Sequence, residues 1–230
     1  MTRWAVLTVA LYVFLLVLVT VPFGVMAMLP DDPSRSDVVQ LLEIFLAWPY
    51  WLLIGVLALA QALLLVVPVK TRSDVRLRRR HILAPLLGAG LAMGILLGGM
   101  LFALLAAVFA DEVSQTAAWS AIAAIPLGWI FWFFVFRGFV RAGPEPDAWM
   151  ARITKTLHDG STLELLVAVA CHIVVRRRGD CSAPILTFLA MAAGIAVMFL
   201  SYGPGVFYLF ADRKKRMLSR RRREAARLEE

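Results

Sequence analysis

The chain has 230 residues, of which 61% are hydrophobic and only 17% charged, and it carries a formal net charge of +8. Soluble globular domains carry about 25% charged residues, so this composition excludes that class and points to a polytopic membrane protein. The apolar stretches are continuous, whereas membrane barrel strands alternate apolar and polar residues over segments of about 10. The expected fold class is therefore all-α, a polytopic transmembrane helix bundle.

Five uncharged runs reach or exceed the roughly 20 residues that a helix needs to cross hydrocarbon: Trp4 to Pro30, Ile44 to Val69, Ile82 to Ala110, Val113 to Phe136 and Cys181 to Ala211. They give spans at about 4–29, 44–69, 82–110, 113–136 and 184–211, within a single membrane domain over 1–211 that is followed by a basic tail, 212–230. The first run follows Arg3 and has a weak small-residue site at Val25-Met26-Ala27. It is too long for a secretory h-region of about 7 to 15 residues, so it reads as an uncleaved anchor.

The second run contains Trp48-Pro49-Tyr50, where a proline that deletes a backbone donor is expected to kink the helix. Glu43 lies near the entrance of that run and Gln61 deeper, where a polar side chain is expected to bond across helices. The third run carries Gly90, Gly94 and Gly98 on one face, a glycine zipper that lets another helix approach closely. Its expected partner is the second or the last span of the same chain, with a homo-oligomer seam as the alternative. Trp48, Tyr50 and Trp51, Trp129 to Phe136, and Phe207 to Phe210 read as interfacial aromatic belts.

Positive charge is retained on the cytoplasmic side of short loops. Lys70, Arg72, Arg76 and Arg78 to Arg80 mark the second loop as cytoplasmic, and the N-terminus with it. Asp31, Asp32 and Asp37 mark the first loop as external, as Asp111 and Glu112 do the third. Arg137 and Arg141 return the chain to the cytoplasm, yet one further crossing would leave the tail outside. That tail holds Arg213, Lys214, Lys215, Arg216, Arg220, Arg221, Arg222 and Arg223, a cluster expected to contact anionic lipid headgroups.

The parity is restored if a short, marginal helix at about 160–175 also crosses, which strands Arg176 to Arg178 outside. Its sixteen residues cover about 24 Å, less than the hydrocarbon thickness of about 30 Å. The alternatives are an interfacial segment, or a re-entrant last run broken at Ser201 to Gly205. Ser161-Thr162-Leu163-Glu164 fits a capping box and sets a helix start near Ser161, with His158-Asp159-Gly160 as a polar turn before it.

Glu164, Cys171, His172, Asp180 and Cys181 form the candidate functional cluster, the right kinds of ligand for zinc or copper. Glu164 and Cys171 share a helical line but stand about 10 Å apart along it, too far to share one ion. Neither HExxH, nor a P-loop, nor a Ser-His-Asp order occurs. The leading expectation is a non-enzymatic transport, scaffold or assembly component of a bacterial-type cytoplasmic membrane, partnered by lipid and possible further membrane-protein chains, with no nucleic acid. A membrane-embedded metal or redox enzyme is the second reading.

Overall fold

The computed structural model describes residues 2–28, 39, 43, 45–46, 48–72, 79–109, 115–142, 145–178 and 183–228. Six helices make up nearly all of these: α1 (Thr2–Met28), α2 (Trp48–Arg72), α3 (Arg79–Phe109), α4 (Gln115–Ala142), α5 (Pro146–Arg178) and α6 (Ala183–Leu228). The chain is all-helical among the described residues, and all six helices are long and apolar enough to cross a membrane.

Contacts between named residues fix the directions of the helices. Trp4 stacks on Phe210 at 5.4 Å and the Tyr12 hydroxyl donates to the Ala196 carbonyl at 3.2 Å, so α1 and α6 are antiparallel. Thr20 and Tyr50 share a hydroxyl hydrogen bond of 2.9 Å, joining the end of α1 to the start of α2. Asp147 accepts a hydrogen bond from Tyr208 at 2.8 Å, while His172 meets Thr187, so α5 and α6 are antiparallel as well. Arg178 donates to the Ala107 carbonyl at 2.6 Å and Gly160 packs on Met93, so α3 and α5 run parallel. One end of the assembly therefore gathers Arg3, Arg72, Arg79, Arg141, Pro146 and the continuation of α6. The opposite end gathers Met28, Trp48, Phe109, Gln115, Arg178 and Ala183.

The last helix is the hub. The apolar window of α6 is 61% buried against its neighbours, while that of α4 is only 17% buried. Helix α4 turns Trp119, Ile122, Leu127, Ile130, Phe131 and Phe134 outward, as a lipid-facing helix would. The belt residues divide on this ground: Phe136 and Phe207 are fully buried in the core, whereas Trp48 and Trp51 are exposed.

The glycine stripe is filled from within the chain, but by α4 rather than by the second or last span. A Cβ on Gly90 would meet the Trp129 carbonyl at 3.1 Å, and one on Gly94 would meet the Ile125 carbonyl at 2.5 Å and the Trp129 amide at 3.0 Å. Gly98 faces the Ile125 side chain. Without a hydrophobic force between helices in lipid, such backbone approach supplies the packing. The α2 helix uses Gly88 instead, which sits over the Ala60 carbonyl.

The expectations for the 158–175 segment are corrected. The 160–175 segment is part of a 33-residue helix that opens at Pro146, so the objection from length disappears: about 50 Å of helix is available. Trp149, Met150, Ile153 and Leu157 are buried at helical spacing, and their packing carries the helix through His158, Asp159 and Gly160. Ser161 consequently caps nothing; its hydroxyl donates back to the His158 carbonyl at 2.8 Å, a bond typical of serine inside a helix. Gly160 permits the Met93 sulfur to approach rather than ending the helix.

Pro49 falls at the second position of α2 (Trp48–Arg72), where the absent donor has no partner within that helix, so the interior of α2 loses no hydrogen bond to it. Residues 201–205 stay helical despite Pro204, and α6 runs without a break to Leu228, 46 residues in all. The alternative of a re-entrant break there gives way to one continuous helix of about 69 Å, whose apolar window ends at Phe210 ahead of the basic continuation.

Candidate functional site

The buried stripe of α5 comprises Leu157, Ser161, Glu164, Ala168, Cys171 and Val175, a spacing of three or four that keeps one face against α3 and α6. Glu164 stands in the middle of it with 2% of its surface exposed. Both carboxyl oxygens are buried and neither has a hydrogen-bond partner. A buried carboxyl group left without a partner is costly, about 1–3 kcal/mol.

The carboxyl group is housed by glycines. A Cβ on Gly99 of α3 would lie 3.4 Å from Glu164 Oε1, and Gly194 of α6 packs directly on Oε2. A Cβ on Gly194 would also stand 2.7 Å from Leu165 Cγ. Ala190 closes the gap between the two glycines, its Cα 3.4 Å from where a Gly99 Cβ would be. Three helices thus meet around one carboxylate, and only residues without bulk allow them to do so.

A second polar group is housed in the same way. Gln61 of α2 is fully buried, with both side-chain amide atoms unpartnered, and it lies directly on Gly203 of α6. The expected bond across helices is absent at this residue. Beside it is a cavity of about 70 Å³ between α1, α2 and α6, to which Thr8, Tyr12 and Tyr202 also contribute. Gly203→Ala is expected to destabilise the protein by about 1–3 kcal/mol through overpacking. A Gln61→Ala background should remove most of that cost, since residues in contact couple by about 0.5–3 kcal/mol; unfolding of the two single variants and the double variant in detergent measures the coupling.

The other members of the sequence cluster do not join Glu164. Cys171 is buried among Phe45, Ala103, Ala168, Phe188 and Ala190, the setting of a small apolar side chain. His172 lies on the neighbouring face and is half-buried. Its Nδ1 is 2.8 Å from the Thr187 hydroxyl, whose own proton goes to the Pro184 carbonyl at 3.0 Å, so Nδ1–H donates to Thr187. Asp180 and Cys181 lie outside the described residues. Among the described residues, no three His, Cys, Asp or Glu side chains are placed to hold a metal ion. Exchanging His172 for Ala should therefore cost about 0.5–1.5 kcal/mol, the worth of one hydrogen bond, and leave the metal content of the purified protein unchanged; a loss of stoichiometric zinc or copper on elemental analysis would revive the metal reading.

Sequence reasoning singled out Glu164 but gave it a capping role, and it missed Gly99 as a wall of the site. The available signal was a carboxylate in an uncharged stretch together with small residues in two other spans. Of the lipid-contact residues, Arg213 is exposed on α6 beyond the apolar window. For Lys214 to Arg216 and Arg220 to Arg223 only the helical backbone is described. Neither protein-family models, nor curated proteins, nor solved structures match this chain.

Proposed function

We propose that this chain is an integral membrane protein that crosses a cytoplasmic membrane six times, with both termini inside, and that it serves ion transport through the Glu164 carboxyl group. The single observation that supports transport over a scaffold role is an unpartnered carboxylate enclosed by three helices. Ionisable groups kept within membrane segments mark ion pathways and proton relays, and a scaffold gains nothing from carrying the cost.

Depth supports the same reading. Gly99 is ten residues from the end of α3, and Gly194 is ten from the apolar start of α6 at Pro184. Both intervals correspond to about 15 Å of helix, half of the hydrocarbon thickness of about 30 Å. With α5 as a crossing, Arg3, Lys70, Arg72, Arg79, Arg141 and the basic continuation of α6 share one side, as the retention rule favours. Arg176, Arg177 and Arg178 end up on the other side, where Arg178 caps the carbonyl end of α3. On the inner side, Arg213 to Arg223 lie against anionic headgroups, while the aromatic outer face of α4 meets acyl chains.

The test is flux in proteoliposomes. Wild-type protein should dissipate an imposed gradient of a proton, sodium or potassium ion faster than protein-free vesicles, and Glu164→Gln should return the rate to that of the empty vesicles. Equal rates in both proteins for every ion would sink the transport reading.

A further inference from the structure

We infer that the ion taken up at Glu164 is a proton and that the site admits no metal cation; the inference rests on the transport reading above. Calcium and magnesium require six or more oxygen ligands at about 2.0–2.6 Å, and an alkali cation in a membrane pathway is likewise held by a shell of oxygens that replaces its water. Gly99 and Gly194 approach the Glu164 carboxyl, with Ala190 and Leu165 beside them; none of the four brings a side-chain oxygen, and neither carboxyl oxygen has a hydrogen-bond partner. Their backbone carbonyls belong to helices α3, α5 and α6 and are engaged in helical hydrogen bonds. The nearest hydroxyl on the stripe, Ser161, is turned to the His158 carbonyl. Both carboxyl oxygens are buried and Gly194 packs directly on Oε2, which leaves the missing ligands no room to enter as a shell of water. A proton needs one oxygen and no shell, and a protonated carboxyl is the form of this side chain that fits an apolar enclosure at least cost.

No other charged group faces the site from the helices around it. Between Ile82 and Phe109, α3 has no titratable side chain, and α4 has none before Arg137. Over the apolar window Pro184–Phe210, α6 offers only Tyr202 and Tyr208, and α2 has Tyr50 and then nothing before Lys70. On α5 itself the titratable neighbours are Asp159, five residues earlier, exposed and paired with Lys155, His158, six residues earlier, Cys171, seven residues later, and His172, eight residues later and bonded to Thr187. Uptake of a single proton, with no counter-charge beside it, is the event these residues can support.

The deciding experiment compares ions in one set of proteoliposomes, using an enclosed pH-sensitive dye for protons and radioactive sodium and rubidium for metal ions. The expected result is proton flux that Glu164→Gln lowers to the rate of protein-free vesicles, with no sodium or rubidium uptake that depends on Glu164. In parallel, dicyclohexylcarbodiimide, which attacks protonated carboxyl groups in apolar surroundings, is applied to the wild-type protein, so that the outcome does not hang on the folding of a variant. It should modify Glu164 by mass spectrometry, less so as pH rises, and sodium should give no protection. Glu164-dependent sodium or rubidium flux without proton flux, or protection of Glu164 by sodium, would overturn the proton assignment while leaving the transport reading standing. Loss of every Glu164-dependent flux would overturn both.

Discussion

Replacing Glu164 with Leu is expected to raise the stability of the folded protein by about 1–3 kcal/mol, the desolvation cost of a buried polar group left without a partner, while abolishing flux that depends on this residue. Both carboxyl oxygens lack partners and the enclosure is apolar, so no bond is lost with the carboxyl group. Leu is shorter and leaves Gly194 uncrowded. Replacing buried charged groups by apolar residues of similar volume is often neutral or stabilising, and sites kept for activity commonly carry such a cost. Denaturant or thermal unfolding in detergent reads the effect. Destabilisation of the same size would mean that Glu164 holds the fold together and that its burial has a structural reason.

The opposite sign is expected at the α3–α4 seam, where Gly94→Leu should lower stability by about 3 kcal/mol or more, at the upper end of overpacking costs. The atoms that a Cβ on Gly94 would meet are the Ile125 carbonyl and the Trp129 amide, both backbone. Neither can rotate away, so α3 and α4 must separate along the whole stripe from Gly90 to Gly98. Gly55 and Gly138 provide controls, because nothing stands within 4 Å of a Cβ at either position. Alanine there should be neutral or stabilising by about 0.5–1 kcal/mol, the helix preference of Ala over Gly. Should the Gly94 variant unfold like these controls, the close contact of α3 with α4 would be refuted.

How much of this was legible in the sequence depends on whether the signal was local. The apolar runs were plain, because length and hydropathy are properties of a segment alone; the described helices α1, α3 and α4 fall on their expected runs with shifted ends. Helix α5 was misread for the converse reason. Its first half mixes Arg152, Lys155 and Asp159 with the buried Trp149, Met150, Ile153 and Leu157, which lowers its hydropathy, and a local capping pattern at Ser161 then imitated a helix start. Contacts with other helices decided the outcome, and a single segment does not display them. The glycine stripe was visible, but its partner was not: a small-residue face says that something approaches closely, never which helix. Gln61 shows the same limit, since its expected cross-helix bond gave way to contact with Gly203.

The candidate site was half legible. Glu164 stood out as a carboxylate within an apolar stretch, while nothing local tied Gly99 or Gly194 to it. Their meeting depends on the parallel course of α3 and α5, which arises only if α5 continues from Pro146 in one piece. The grouping of Glu164 with Cys171 and His172 came from nearness in sequence. Seven and eight residues along a helix carried those two side chains to an apolar cluster and to Thr187 instead.

The crossing by α5 is the claim on which the depth of Glu164 and the side of every basic segment rest, and Cys181, between Arg178 and α6, reports on it. Intact cells expressing the wild-type chain or Cys181→Ser are treated with a membrane-impermeant thiol reagent, while protease added outside probes the segment beyond Phe210. Six crossings predict labelling that disappears in the Cys181→Ser variant, together with a tail protected until the cells are opened. A protected Cys181 with a tail cut from outside would contradict the account, returning α5 to the membrane surface and Glu164 to the interface.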